Sequence, residues 1–259
     1  MSKPVVFLGP TLPVAEALTH LDAIFLPPAE QGSVFRAVID HAPSAIAIID
    51  GAFARRPAVR HKEILWALSR GFPVFGASSM GALRAAELHP FGMIGVGLIY
   101  RWYRATPLAD DDDVAVAMAP AEFGFEALSD SLIDMRLTFK RAMRLGLIGR
   151  STYELLCSQA RSTYFIDRRY GNVIEFTRQV TDGEAQAELL QLEKFISRYV
   201  IPQKKYDAIE LLQYLATGVD GVRVQTPSFR LTEAWAADLD AAGQWDAYVE
   251  FTDSFTHGG

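Results

Sequence analysis

Pro73-Val74-Phe75-Gly76-Ala77-Ser78-Ser79-Met80-Gly81-Ala82-Leu83-Arg84 reads as an apolar strand, a turn of small residues and the start of a helix. Three stretches upstream repeat its first half. Val5-Val6-Phe7-Leu8 stops at Gly9-Pro10, Ala23-Ile24-Phe25-Leu26 at Pro27-Pro28, and Ala45-Ile46-Ala47-Ile48-Ile49 at Asp50-Gly51. Short continuous apolar runs closed by turn residues predict strands buried on both faces. Helix-like segments separate them at Val14–Leu21, Val34–His41 and Ala58–Arg70. The last has Pro57 near its start and Gly71 just past its end, the asymmetry helix boundaries prefer. Strand–helix alternation predicts the α/β class, a mostly parallel sheet flanked by helices in the N-terminal half.

From about Ala127 the period turns helical. Leu132, Met135, Phe139 and Met143 recur at spacings of three to four, and further helices are expected at 151–166, 184–199, 204–217 and 231–240. Residues 218–230 read as extended or loop. The expected organisation is an α/β part over 1–125 and a mostly helical part over 126–259 packed on it, the two being separate domains or one continuous domain.

Composition narrows the class. The 259 residues are 50% hydrophobic and 22% charged, and 16 Phe, 9 Tyr and 4 Trp supply ample surface to bury, which excludes intrinsic disorder. A lone cysteine, Cys157, excludes a disulfide scaffold and suits a reducing compartment. The formal charge is −6, with ten Lys or Arg against seven Asp or Glu in residues 1–106 and fifteen against twenty-four in 107–259. Neither part carries the basic face a nucleic-acid binder needs. The apolar stretch after Lys3 is too short for a signal peptide, and Met93–Tyr100 is under half a membrane span. The expectation is a cytoplasmic chain away from membranes.

In an open parallel sheet, ligands bind outside the carboxyl ends of the strands. That rule selects Gly9-Pro10-Thr11, Pro27-Pro28, Asp50-Gly51 and Gly76–Ser79. Ala77-Ser78-Ser79-Met80-Gly81 approaches the nucleophile-elbow pattern, small-x-Ser-x-Gly, with Ser79 at the nucleophile position. The first N–H groups of the following helix, near Met80 and Gly81, suit an oxyanion. The plain alternative is that Ser78 or Ser79 only caps that helix, and spacing alone does not separate the two serines. A serine nucleophile needs a base. His20, His41, His61, His89 and His257 fall in no recognisable triad. Lys62 opens the helix after the Asp50-Gly51 turn, near the same sheet edge as Ser79. A lysine acts as base only when uncharged, a state that burial favours; otherwise it is an exposed residue paired with an acid such as Glu63. Asp50 either orients Lys62 or substrate, or bonds the turn amides around Gly51. Arg84, three residues before Glu87, is a substrate-side candidate or half of a surface ion pair.

Other features carry less. Asp110–Asp113 offers four carboxylates without a spaced His or Glu, so a solvated loop or partner-facing patch is expected rather than a metal site. Gly92-Met-Ile-Gly95-Val-Gly97 lacks the strand a dinucleotide fingerprint needs. Cys157 sits in an apolar helical stretch and reads as a core residue. No metal site and no cofactor is expected.

A longer set of strings points further. Ile48-Ile-Asp-Gly-Ala-Phe53, His61-Lys-Glu-Ile-Leu-Trp-Ala-Leu68, Phe75-Gly-Ala-Ser-Ser-Met-Gly-Ala-Leu-Arg-Ala-Ala-Glu-Leu88 and Phe91-Gly-Met-Ile-Gly-Val-Gly97 resemble the TfuA-like family, as do Phe7-Leu-Gly-Pro10, Pro27-Pro-Ala29 and Asp111-Asp-Asp-Val-Ala-Val116. The resemblance covers about the first 145 residues. It implies action beside a YcaO enzyme in installing thioamides in a peptide backbone, either in a peptide natural product (RiPP biosynthesis) or in another protein. It implies hydrolysis of the C-terminal thiocarboxylate of a ThiS-like sulfur carrier, and help to YcaO in engaging the precursor peptide. The family's hydrolase-like site is a Ser–Lys pair, which here falls on Ser79 and Lys62, with Ser78 as the other possible serine. Backbone N–H groups near Met80, Gly9 or Gly51 then hold the oxyanion, with Pro10, Gly76 and Gly81 shaping the cleft. Two readings from other classes stand beside it: a non-catalytic adaptor holding YcaO, peptide and carrier together, and, by fold analogy alone, a nucleotide-binding module.

Overall fold

The computed structural model describes residues 2–52, 56–106, 109–219, 221–222 and 225–256, with side chains through Asp253. Phe53, Pro107 and His257 lie outside the described residues. In chain order the elements are β1 (Val5–Phe7), α1 (Val14–Ala17), β2 (Ile24–Leu26), α2 (Ser33–His41), β3 (Ile46–Ile48), α3 (His61–Ser69), β4 (Val74–Gly76), α4 (Met80–Leu88), β5 (Ile94–Gly95), α5 (Gly97–Ala105), α6 (Leu132–Arg144), α7 (Arg150–Ser162), α8 (Tyr170–Arg178), α9 (Gly183–Ile196), α10 (Gln203–Ala216), α11 (Glu233–Ala241) and α12 (Trp245–Thr256). Two compact units result: Met1–Pro107 with Asp207–Gly259, and Leu108–Tyr206.

The first unit is α/β. Its five strands are all parallel, in the order β2-β1-β3-β4-β5. The two faces divide the apolar runs residue by residue, as a period of two requires. Val5, Phe7, Ile46, Ile48 and Val74 face α2, α3 and α4, where Trp235, Leu239 and Tyr248 of α11 and α12 join the same core. Val6, Leu8, Ala45, Ala47, Ile49, Phe75 and Ala77 face the other way, against Leu12, Ala17 and the α10 residues Ala208, Leu211, Leu212 and Leu215. The sheet is therefore covered on both faces, and segments from beyond residue 206 supply part of each cover.

Four strands fall in the four apolar runs. The fifth, β5, was not anticipated, nor were α5, α8 and α12. β5 is two residues long and set among glycines that give no strand signal. Gly95 is there for close approach: a Cβ on it would lie 2.1 Å from the Tyr100 ring. Gly97 takes φ +95° to begin α5, and the Asp207 carboxylate receives the N–H groups of Leu98 (3.0 Å) and Ile99 (2.7 Å) at that helix start.

The second unit is helical. Leu132, Met135, Phe139 and Ala142 of α6 pack with Leu156 and Ala160 of α7, Val173 and Ile174 of α8, and Leu189 and Leu192 of α9. Cys157 lies against this core, and burial pushes its thiol up. The acidic run takes part in this unit's own framework. Asp110 bonds Arg161 (2.6 Å), Asp112 bonds Arg168, and Asp113 bonds Arg136 (2.7 Å). That corrects the expectation of a solvated or partner-facing patch for Asp113, which is buried, and for Asp112, which is bound to a buried arginine; Asp110 and Asp111 are exposed, as a solvated loop requires. Among the described residues no helix is long and apolar enough to cross a membrane, and no group of three or more His, Cys, Asp or Glu is arranged to hold a metal ion.

Candidate active site

In the order β2-β1-β3-β4-β5 the chain reverses its winding between β1 and β3, and the carboxyl edge at such a switch point is where open parallel sheets bind ligands. Of the residues chosen from sequence, Gly9, Thr11, Asp50 and Ser78 are linked there by hydrogen bonds, whereas Lys62 and Arg84 have other partners. Asp50, one residue beyond the last residue of the run feeding β3, is 1% exposed. Its Oδ2 accepts the N–H of Gly9 (2.9 Å) and of Thr11 (3.1 Å), and its Oδ1 accepts the Thr11 hydroxyl (2.6 Å). Asp50 thus bonds turn amides, but those of the β1–α1 turn rather than those around Gly51. Pro10 sits between the two bonded amides and, like Gly9 and Thr11, keeps part of its surface exposed. The Asp50 carbonyl accepts the Ala29 N–H (2.9 Å) and the Ala29 carbonyl accepts the Ala52 N–H (2.9 Å), which ties the end of β2 to the same edge. Gly51 lies under Met80: a Cβ there would meet the Met80 side chain at 2.7 Å.

The β4–α4 turn completes the site. Ser78 has φ +67°, a region that non-glycine residues rarely occupy and that marks strained turns at functional sites. Its Oγ lies 3.5 Å from Thr11 Oγ1, and the residue has no exposed surface. Ser79, 2% exposed, is the residue before the first turn of α4, yet its side chain makes no capping bond. Plain helix capping therefore does not account for it. The Gly81 N–H donates to the Ile49 carbonyl (3.3 Å), and the Gly9 N–H is held by Asp50, so both are already engaged. Among the described residues the Met80 N–H, first in α4, has no acceptor, as expected for an N-terminal donor.

Local spacing put Ser79 in the nucleophile slot because Gly81 follows it by two. The backbone puts the strained turn one residue earlier. In that frame Gly76-Ala77-Ser78 supplies the glycine that precedes an elbow serine by two, and Met80 replaces the second glycine. Gly76 is required by contact: its Cβ would lie 2.1 Å from the Gly81 carbonyl oxygen.

Lys62 stands apart. The buried stripe of α3 includes Glu63, Ile64, Ala67 and Leu68. Lys62 falls off that stripe, part-exposed, with Nζ 5.6 Å from the centre of the Phe229 ring, within reach of a cation–π attraction. Among the described residues it makes no hydrogen bond to Ser78 or Ser79, and neither does any histidine. Arg84, on α4, donates Nε–H to the Val59 carbonyl (3.1 Å) and Nη1–H to Glu87 (2.7 Å). His61 Nε2 also meets Glu87, at 2.8 Å. Burial pushes the Glu87 carboxyl up, but the bonds and charges of His61 and Arg84 outweigh it and hold the group below its usual range.

Glu63 does not pair with Lys62. It is buried and accepts N–H from Gly32 (3.1 Å), Val34 (2.9 Å) and Arg60 (2.8 Å), capping α2 and α3 together. Burial pushes its carboxyl from 4.5 up to about 7. In the second unit, burial pushes Asp134 from 3.8 up to about 6. An acid whose folded pKa exceeds its unfolded one binds more protons when folded, so stability is greatest below the unfolded pKa and falls as pH rises through the folded one. The unfolding free energy from urea titrations should therefore drop by about 2–3 kcal/mol between pH 5 and pH 8 from Glu63 alone. Glu63→Gln should flatten that drop. A wild-type value that stays level or rises over this window is incompatible with the buried acid.

No match arises among curated proteins. Residues 50–169, from Asp50 at the switch point to just beyond Arg168, match the family model described as TfuA-like protein, so over that stretch the chain is similar to the family its motifs resemble.

Proposed function

We propose that this protein works beside a YcaO enzyme in peptide backbone thioamidation and hydrolyses the C-terminal thiocarboxylate of a ThiS-like carrier, releasing sulfide. A serine of the β4–α4 turn, Ser79 or Ser78, attacks the thiocarboxylate carbon. Lys62 is the partner that the Ser–Lys scheme requires, and the Met80 N–H is the donor available to the oxyanion. The observation that carries the reading is the convergence at the switch point: a strained serine turn, an unengaged helix-start N–H and the Asp50-braced Gly9–Thr11 turn lie on one sheet edge. The part-exposed Gly9-Pro10-Thr11 turn suits a narrow glycine tail.

The test is a carrier thiocarboxylate assay read by mass. Loss of the nucleophile should lower kcat/KM by at least about a thousandfold, and Lys62→Ala should cost about 10²–10⁴-fold if the amine acts as base. Ser78→Ala and Ser79→Ala separate the two hydroxyls. The seat of Lys62 on Phe229 favours one second reading, the non-catalytic adaptor that brings peptide and carrier to YcaO. It is the reading left if all three variants hydrolyse as wild type, or if the wild type does not hydrolyse the carrier, while thioamidation by YcaO still needs this chain.

A further inference from the structure

The hydrogen bonds of Asp50 have a direction. Its carboxylate takes the one hydroxyl proton of Thr11, at 2.6 Å. Thr11 Oγ1, having spent that proton, can only accept from a second hydroxyl. Its neighbour on that side is Ser78 Oγ, at 3.5 Å. A hydroxyl with no exposed surface is held by its protein partners, and among the described residues Thr11 Oγ1 is the atom within reach of Ser78 Oγ. The chain of protons therefore runs one way, from Ser78 to Thr11 to Asp50. Asp50 is itself fixed by the N–H groups of Gly9 and Thr11, so it does not turn aside.

We infer that Thr11, oriented by Asp50, is the positioning residue for Ser78, and that Ser78 is the reacting serine of the turn. This rests on the thiocarboxylate-hydrolase reading above and replaces its base: the serine proton goes through Thr11 to Asp50 and not to Lys62, which sits against Phe229. With its proton drawn toward Thr11, the Ser78 oxygen presents a lone pair to an acyl carbon entering past the part-exposed Gly9–Thr11 turn. As the Oγ–C bond forms, the Ser78 proton passes to Thr11 Oγ1 and the Thr11 proton to Asp50 Oδ1. The carbon–sulfur bond then breaks, and the sulfide leaves with the returned proton as hydrosulfide. Water cleaves the serine ester, giving the carboxylate and restoring the Ser78 hydroxyl with release of one proton. The separation of 3.5 Å is long for a hydroxyl–hydroxyl bond, so the proposed transfer requires the two oxygens to close up as Ser78 reacts, as catalytic hydrogen bonds do.

Two measurements test it. The first uses a serine-directed fluorophosphonate on the full chain, with the labelled residue read by peptide mass. Label is expected on Ser78 in the wild type. Thr11→Val, which keeps the N–H bonded by Asp50 and removes the hydroxyl, should lower the labelling rate at least about tenfold, and Thr11→Ser should restore it. The second is the carrier assay. Thr11→Val should lower kcat about 100-fold with KM changed less than about twofold, and Thr11→Ser should recover most of it. Label on Ser79, or no label at all, overturns the inference. So does Thr11→Val at wild-type kcat while Ser78→Ala is inactive, and so does equal loss in Thr11→Val and Thr11→Ser, which reports turn structure instead of the hydroxyl. A Thr11-dependent label on Ser78 in a chain that leaves the carrier intact would keep the positioning role and end the thiocarboxylate reading.

Discussion

Gly81→Ala is expected to destabilise the sheet unit severely. A Cβ on Gly81 would lie 1.7 Å from the carbonyl oxygen of Ile48 and 2.5 Å from its carbon. Those atoms are backbone of β3, the central strand between β1 and β4, so they cannot swing aside as a side chain might. The Ile48 carbonyl is also committed, since it accepts the Ala77 N–H at 3.1 Å. Moving α4 outward instead would break the Gly81 N–H bond to Ile49 and drag the Gly81 carbonyl off Gly76. Overpacking a tight core ordinarily costs 1–3 kcal/mol. An overlap with fixed backbone belongs at or above the top of that range, so the loss should be at least about 3 kcal/mol, out of a total near 5–15 for a natural domain. Thermal and urea melts followed by circular dichroism would show it as a large drop in midpoint or as insoluble chain. Gly171→Ala is the control. Its added Cβ meets nothing within 4 Å and its φ is ordinary, so it should be neutral or gain up to about 1 kcal/mol through helix preference. A Gly81→Ala protein melting with the wild type would mean that α4 does not press on β3 as described.

The same contact explains what the sequence could disclose about the site. Strands β1 to β4 are legible because each is a compact apolar run ended by Gly, Pro or Asp, and two-sided burial leaves no polar alternation to blur it. The carboxyl-edge turns follow by rule once the sheet is parallel, which is how Gly9-Pro10-Thr11, Asp50-Gly51 and Gly76–Ser79 could be selected. Which serine carries the strain is a backbone torsion, and two adjacent serines give a local window nothing to choose between. Thr11 stood in a selected turn without a role, because its use depends on Asp50, a partner far along the chain that local spacing does not reach. The sequence places Lys62 on α3 but on no face, and its amine lies over the Phe229 ring. The fully buried positions of α3 are Glu63, Ile64, Trp66, Ala67 and Leu68, and Lys62 lies off them. Burial of the charged Glu63 is the unexpected element, and its three N–H donors from two helix starts are what make it tolerable. Glycines misled in the opposite direction. Gly92–Gly97 gives no strand signal, yet it carries β5, and Gly95 and Gly97 are small because Tyr100 and Asp207 come close. The acidic run looked solvated because the arginines that bind it come from α6, from α7 and from the segment before α8.

Arg168→Met is expected to unfold the helical unit. Arg168 has no exposed surface, although arginine is among the residues least often buried. Each of its donor groups is used. Nε donates to the Ala160 carbonyl (2.9 Å), Nη1 to the Asp112 carbonyl (3.1 Å), and Nη2 to the Thr163 carbonyl (3.0 Å) and the Asp112 carboxylate. The guanidinium thereby joins the acidic turn to the end of α7, where Ala160 and Thr163 would otherwise leave last-turn carbonyls unsatisfied. Methionine fills much of the volume but accepts and donates nothing there. Three carbonyls and one carboxylate lose their partner together, and breaking a buried pair from one side costs about 3–5 kcal/mol. Asp112→Asn tests the other side. The Asp112 side chain is 37% exposed, and the three carbonyl bonds survive, so that loss should stay near about 1 kcal/mol, as for a partly exposed pair. Amide hydrogen exchange should show protection falling across α7 and α8 in Arg168→Met and largely kept in Asp112→Asn. Equal effects from the two variants would place the energy in the charge pair, and undiminished protection in Arg168→Met would remove Arg168 as the tie between that turn and α7.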